Sequence, residues 1–199
     1  MLPEYGTVEN AKQSGQVLLI HPIRVLLTSS RDSSSRIRSF LNELSYIIPD
    51  SFKINRGRQS LDDIFKRSRL YGASYIVIVS SSKGNPGRFL VYNTYTSIRE
   101  FDIKIQGITL LKEIGGRESK IVSKKIRVGC IGELSNTLVK NLFMNLGYTG
   151  VENCESYVNG RYIEKINDKN IYEVKFLDAH NNIIGPTIRF LVDEGSNKY

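Results

Sequence analysis

Arg24-Val-Leu-Leu-Thr-Ser-Ser-Arg-Asp-Ser-Ser-Ser-Arg36 is the stretch that decides the fold. Its first half is apolar and β-branched and reads as a buried strand. Its second half is a run of residues whose short polar side chains accept backbone N–H bonds, as at a helix start. Asp32 or Ser33 is the expected cap. Ile37, Phe40, Leu41, Leu44 and Ile48 then recur at helical spacing, and Pro49 closes the helix. Phe52–Asn55 reads as a short strand and Arg56-Gly57-Arg58 as a turn. Ser60-Leu-Asp-Asp63 has the form of a capping box with Asp in place of the usual Glu. Leu61, Ile64, Phe65 and Ser68 give the next helix its inner face, and Gly72 ends it. Tyr75–Val79 is a further buried strand. Strand, helix, strand, helix, strand is the order of an α/β sheet.

Further along, Lys83–Gly87 is a turn between strands, and Arg88–Asn93 and Phe101–Leu111 are strands suited to antiparallel pairing. Gly115-Gly116 and the basic residues after it read as a linker. A second unit begins with a strand at Ile126–Val128 and a helix marked by Leu134, Leu138, Leu142 and Leu146, ended by Gly147. Laying Ile23 on Ile126 without gaps superposes Ile-Arg-Val on Ile-Arg-Val, Phe40 on Phe143 and Asn42 on Asn145. Tyr157–Ile163, Ile171–Leu177 and Ile183–Val192 finish the chain as strands, with a turn at Asp178–Asn182. The expected fold class is α/β (α+β), in two similar halves at 22–114 and 124–192. Residues 1–15 and 193–199 are expected to be flexible termini.

The chain has 199 residues, 40% of them hydrophobic and 24% charged, with a formal charge of +8. These are globular proportions, which exclude collagen, coiled coil and wholesale disorder. No apolar run approaches the roughly 18 residues of a membrane span. The first residues lack the basic start and apolar stretch of a secretory signal. Cys130 and Cys154 are too few for a disulfide framework and read as core residues in a reducing, cytoplasmic setting. With only His21 and His180 beside them, no zinc site is expected, and no other metal or cofactor.

The charge is unevenly spread. Ten Lys and Arg between Arg24 and Arg69 face five acids, leaving +5 of the total +8 there. A second run, Arg117 to Arg127, carries five cations against Glu118 alone. Arginine dominates the first cluster, and its planar fork suits phosphate. A basic cluster of this kind is the footprint of a nucleic-acid binder. Catalytic arrangements are missing by contrast. No GxSxG elbow surrounds the serines, and no Walker A or GxGxxG motif is present. Asp62 and Asp63 diverge by about 100° on a helix and do not converge on one metal. Gly84–Gly87 and Gly129–Gly132 share only letters with the GxxG of KH domains. Phe89, Tyr92 and Tyr95 read as core packing rather than a stacking surface.

Several of these stretches together resemble one family. Leu27–Arg36 is similar to the opening of the Brix-domain family of ribosome-biogenesis proteins. Ile54-Asn-Arg-Gly57, Ser60–Ile64, Gly72–Val79, Lys83–Arg88 and Gly185-Pro-Thr-Ile-Arg-Phe190 follow in the family's order. Ser33 stands where the family has Pro. The resemblance implies two halves, each like the anticodon-binding domain of class II aminoacyl-tRNA synthetases. It implies a non-catalytic factor that binds precursor rRNA in an archaeal cytoplasm, on the small-subunit-processome side. Ribosomal proteins or other assembly factors are its further expected partners. A monomer with no membrane attachment is expected. The RNA-binding residues expected are Ser29, Ser30, Arg31, Ser33, Arg36, Arg38, Arg56, Arg58 and Arg88. An RNA-processing nuclease and a protein-interaction adaptor are the alternatives.

Overall fold

The computed structural model describes residues 24–31, 33–114 and 123–193. Within them, nine strands and four helices form one mixed α+β architecture. β1 (Val25–Ser29) opens with three apolar residues and is buried along its whole length on both faces, as a central parallel strand must be. It leads into α1 (Ser35–Ile47), capped by Ser34, whose hydroxyl oxygen accepts from the Ile37 N–H. The cap is thus one residue beyond Ser33, while Asp32 lies outside the described residues. β2 (Ser51–Lys53) follows. α2 (Leu61–Leu70) carries the expected box: Ser60 accepts from the Asp63 N–H, and Asp63 accepts from the Ser60 N–H. Its end is a Schellman turn, with Gly72 at φ +66° donating to Arg69 and Ala73 donating to Ser68.

β3 (Tyr75–Ser82), β4 (Asn85–Asn93) and β5 (Arg99–Thr109) form an antiparallel meander. After the short α3 (Leu111–Ile114), the chain resumes with β6 (Gly129–Leu134), α4 (Thr137–Asn145), β7 (Ser156–Ile166), β8 (Lys169–Leu177) and β9 (Thr187–Asp193). Three expected boundaries move. β6 starts at Gly129, because Ile126 instead drops into the core with its N–H on the Tyr46 carbonyl. The N–H groups of Arg127 and Val128 meanwhile go to the Glu155 carboxylate. Leu134 ends that strand rather than starting α4. β9 starts at Thr187, with Ile183 making only an isolated bridge to Leu177. Most of the linker expected between the halves, 115–123, the expected flexible residues 1–15 and most of 193–199 lie outside the described residues.

The nine strands make one sheet in the order β2-β1-β3-β4-β5-β9-β8-β7-β6. β1 pairs in parallel with both β2 and β3, and β6 in parallel with β7; the rest are antiparallel. The sequence β1-β3-β4-β5 on one side is repeated as β6-β7-β8-β9 on the other. β5 and β9 join the two sides antiparallel, Lys104 opposite Leu191 and Thr109 opposite Thr187.

Alternation along the strands divides the core. Val25, Leu27, Val77, Val79, Phe89, Val91, Ile188, Phe190 and Val192 face α1 and α4. Leu26, Ile76 and Ile78 face α2 through Ile64 and Phe65. Phe143 stacks edge-on against Tyr148 and Phe176, within reach of Phe190. Tyr148 is fully buried and donates its hydroxyl to the Ile47 carbonyl at 2.5 Å, tying the end of α1 to the turn after α4. Cys130 and Cys154 are joined as a disulfide, Cα to Cα 5.8 Å. This corrects the expectation of two free core thiols: the loop entering β7 returns to the start of β6, within bridging distance.

Candidate nucleic-acid interface

α1 and α2 cover opposite faces of the sheet, so the chain leaves β1 toward one face and returns to β3 over the other. The loops at the carboxyl ends of β1, β2 and β3 therefore gather at a switch point, where open α/β sheets place their ligands. Hydrogen bonds hold the three loops together. The Ser30 N–H donates to the Val79 carbonyl at 2.9 Å, and the Ser81 N–H donates to the Ser30 hydroxyl at 3.3 Å. Ser34 donates to the Gly84 carbonyl in the β3–β4 turn. The Ile54 N–H donates to Leu27, and the Thr28 hydroxyl to the Ile54 carbonyl.

Three arginines stand on these loops. Arg31 and Arg58 are exposed, and Arg56 is half-buried, its Nε donating to the Gln59 carbonyl at 3.2 Å. None of the three makes an ion pair with a described residue. Arg31 and Arg56 lie close enough to repel: burial first, then the Arg31 charge, holds the Arg56 guanidinium below its ordinary range. Two cations kept together without a described carboxylate between them form a site electrostatically suited to an anion. Tyr92 is close enough to Arg56 to interact with it, and it packs edge-on against Phe65.

The other expected residues are placed differently. Ser29 is a buried strand residue, Ser30 pins β3, and the Ser33 carbonyl accepts from Arg38 at 3.2 Å. Arg36 grips Glu113 with both nitrogens of its fork and reaches the Ile108 carbonyl. It locks α1 to α3, and the Glu113 carboxyl is held below its usual range chiefly by that hydrogen bond. Arg88 projects from β4 on the α2 side, beside Lys104 of β5, and is paired with Asp102 at 2.6 Å. That bond raises the Arg88 guanidinium above its ordinary value. Asp102 also pairs with Arg99 at 3.0 Å. The structure thus gathers Arg31, Arg56 and Arg58, spaces Arg88 along the same side, and commits Arg36 to the scaffold. Lys83 and Lys104 were not singled out from sequence. Lys83 lies in the turn whose Gly84 receives the Ser34 bond, and Lys104 faces Arg88 only through the β4–β5 register, which no local pattern carries. Phe89 and Tyr92 do pack inward, while Tyr95 is 69% exposed on the β4–β5 turn.

No group of three or more His, Cys, Asp or Glu able to hold a metal occurs among the described residues. No helix there is long and apolar enough to cross a membrane. Fold and surface together define a mixed α+β protein with a cationic loop cluster at a sheet switch point. Known proteins then give the family. No family model matches the chain. It is 45% identical over 181 residues to the probable Brix domain-containing ribosomal biogenesis protein of Sulfurisphaera tokodaii, covering 90% of this chain and 99% of that one. The crystal structure of a probable ribosomal biogenesis protein from Aeropyrum pernix superposes with a TM-score of 0.67 at 26% identity, covering 86% of this chain and 97% of that one. A 68-residue stretch, 34% of this chain and 23% of the other, is 31% identical to the U3 small nucleolar ribonucleoprotein protein IMP4 of Bos taurus. The chain belongs to the Brix domain-containing ribosomal biogenesis proteins.

Proposed function

We propose that this protein is a non-catalytic, cytoplasmic factor that binds precursor rRNA during ribosome assembly, on the small-subunit side. The observation that carries the reading is the trio Arg31, Arg56 and Arg58, held on two of the three loops that hydrogen bonds draw together and paired with no described carboxylate. Backbone phosphates are the ligand such a trio suits, since a guanidinium fork matches two phosphate oxygens at once. The similarity to a U3 ribonucleoprotein component supports the small-subunit assignment. The repeated strand order supports the division into two similar halves at 22–114 and 124–192; reading each half as of the anticodon-binding type is part of the same proposal.

The test is binding of a single-stranded precursor-rRNA fragment by R31E/R56E/R58E, with Arg36 left in place to hold Glu113. Each phosphate contact on single-stranded nucleic acid contributes about 0.7 to the slope of log affinity against log salt, so three lost contacts make it shallower by about 2. Wild-type affinity and slope in the folded triple variant would sink the assignment.

A further inference from the structure

On the face of the sheet that α2 covers over β1, β3 and β4, no described helix lies over β7, β8 and β9. On β7, β8 and β9, Val158, Val174, Phe176, Ile188 and Phe190 point into the core beneath α1 and α4. The alternate residues point the other way. α2 lies over β1, β3 and β4 and does not extend there. On this open side Glu173 sits directly opposite Arg161 of β7 and Arg189 of β9 in the strand register. Its side chain is only 6% exposed, and both arginines bond to it. Arg161 Nη2 donates to Oε1 at 2.9 Å, and Arg189 Nε to Oε2 at 3.2 Å. Lys175 follows at 3.8 Å.

Three cations around one carboxylate leave a net charge of +2 on a patch three strands wide. The arginines stay largely in solvent, at 69% and 54% exposure. Each spends only part of its fork inside the cluster. Arg161 uses Nε and Nη2, and Arg189 uses Nε alone. Among the described residues, Nη1 of Arg161 and both Nη of Arg189 have no hydrogen-bond partner. The buried carboxylate therefore acts as an anchor that fixes two forks in place, which lowers the ordering cost of binding. Beside them is a cleft of about 220 Å³, lined by Arg161, Glu173 and Lys175 and also by Glu133 of β6, a second carboxylate that lowers the net charge around the cleft to +1 when Arg189 is counted with them.

We infer that this β7–β8–β9 face is a second contact for the same RNA, gripping backbone phosphates through Arg161 and Arg189 with Lys175. The inference rests on the reading that the chain binds RNA. β7 is six strands from β1 in the sheet order. At about 4.8 Å per strand the patch spans about 19 Å (β9) to about 29 Å (β7) across the sheet from β1, whose loop carries Arg31. A single strand therefore has to run across the sheet to reach both, and selectivity comes from length and path rather than from one pocket.

The experiment titrates the full chain with single-stranded RNA of about 16 nucleotides, the upper end of the footprint of a nonspecific single-strand binder. Salt is varied for four proteins: wild type, E173Q, R161Q/E173Q/R189Q, and R31E/R56E/R58E. E173Q removes the internal competitor and is expected to bind more tightly with a steeper slope. R161Q/E173Q/R189Q loses two phosphate contacts without stranding a buried charge, and its slope is expected to be shallower by about 1.4, or about 25-fold between 1 M and 0.1 M salt. Should that variant fail to fold, R161Q alone leaves Glu173 paired and is expected to lose about 0.7 of slope. Wild-type slopes in E173Q and in the folded patch variant, with binding lost in R31E/R56E/R58E, overturn the second contact and leave the first reading standing. Absence of RNA binding by the wild type overturns both.

Discussion

Tyr148→Phe removes one oxygen atom from the centre of the molecule and nothing else. The Tyr148 ring is fully buried between Phe143 and Phe176, so Phe keeps the packing. The hydroxyl donates to the Ile47 carbonyl, one of the last carbonyls of α1, which lack helical partners by construction. Burial pushes the phenol far above its ordinary range, so it is a neutral donor at every working pH. Taking the donor away leaves a buried acceptor unpaired, a change that costs about 1–3 kcal/mol. For a chain of this size each kcal/mol lowers Tm by about 2–4 °C, so a drop of about 2–12 °C is expected. Urea unfolding of wild type and Y148F, with equal m-values required, measures it directly. A midpoint change equivalent to less than about 0.5 kcal/mol, the ordinary scatter of surface substitutions, would show that the link between α1 and the turn after α4 contributes nothing.

Three further outcomes follow from the geometry. Acid should destabilise the fold: Glu113 and Asp63 are held low chiefly by hydrogen bonds from Arg36 and Ser60, and Glu173 is held low because its arginine bonds outweigh its burial. Depressed native values mean stabilisation that is fully present above the unfolded carboxylate range, near pH 4–4.5, and lost as pH falls through the native values. Glu43, raised first by burial, opposes this trend. The acid limb of a Tm-against-pH curve should flatten in E173Q. The Cys130–Cys154 bridge closes a separation of 24 residues, which in the chain-entropy account stabilises by about 3 kcal/mol; an unchanged Tm in C130S/C154S would refute it. S34A deletes the α1 cap and the bond to Gly84, and chemical unfolding should register a loss of about 0.5–2 kcal/mol.

What could be read from sequence was whatever is local. The capping box at Ser60, the stops at Gly72 and Gly147 and the buried strand Tyr75–Val79 depend on neighbours a few residues away, and the structure has them in place. β6 was misplaced by three residues because Ile126–Val128 has a strand's composition, while its partners, the Tyr46 carbonyl and the Glu155 carboxylate, are distant in sequence. The same limit applies to the site. Arg31, Arg56 and Arg58 were visible as charge on loops. That Arg36 is spent on Glu113, 77 residues away, was not. Nor was the meeting of Arg161, Glu173 and Arg189, which exists only through strand register.

The seam between β5 and β9 has a consequence for how the molecule avoids its own kind. Every open sheet ends in two strands whose backbone groups on one side lack a partner, and such borders recruit other chains. Two separate four- or five-stranded sheets would have four borders. Here the two longest candidates, 11 residues in β5 and 7 in β9, satisfy each other. The borders that remain are three-residue β2 and β6, whose pairing with β7 is interrupted by a register shift. Cutting the chain between α3 and β6 would expose β5 with Phe101, Ile103 and Ile105 along one side, a strand ready to pair with a second copy of itself. Fusing the two sheets leaves β2 and β6, the shorter of the four borders, as the strands open to a second copy.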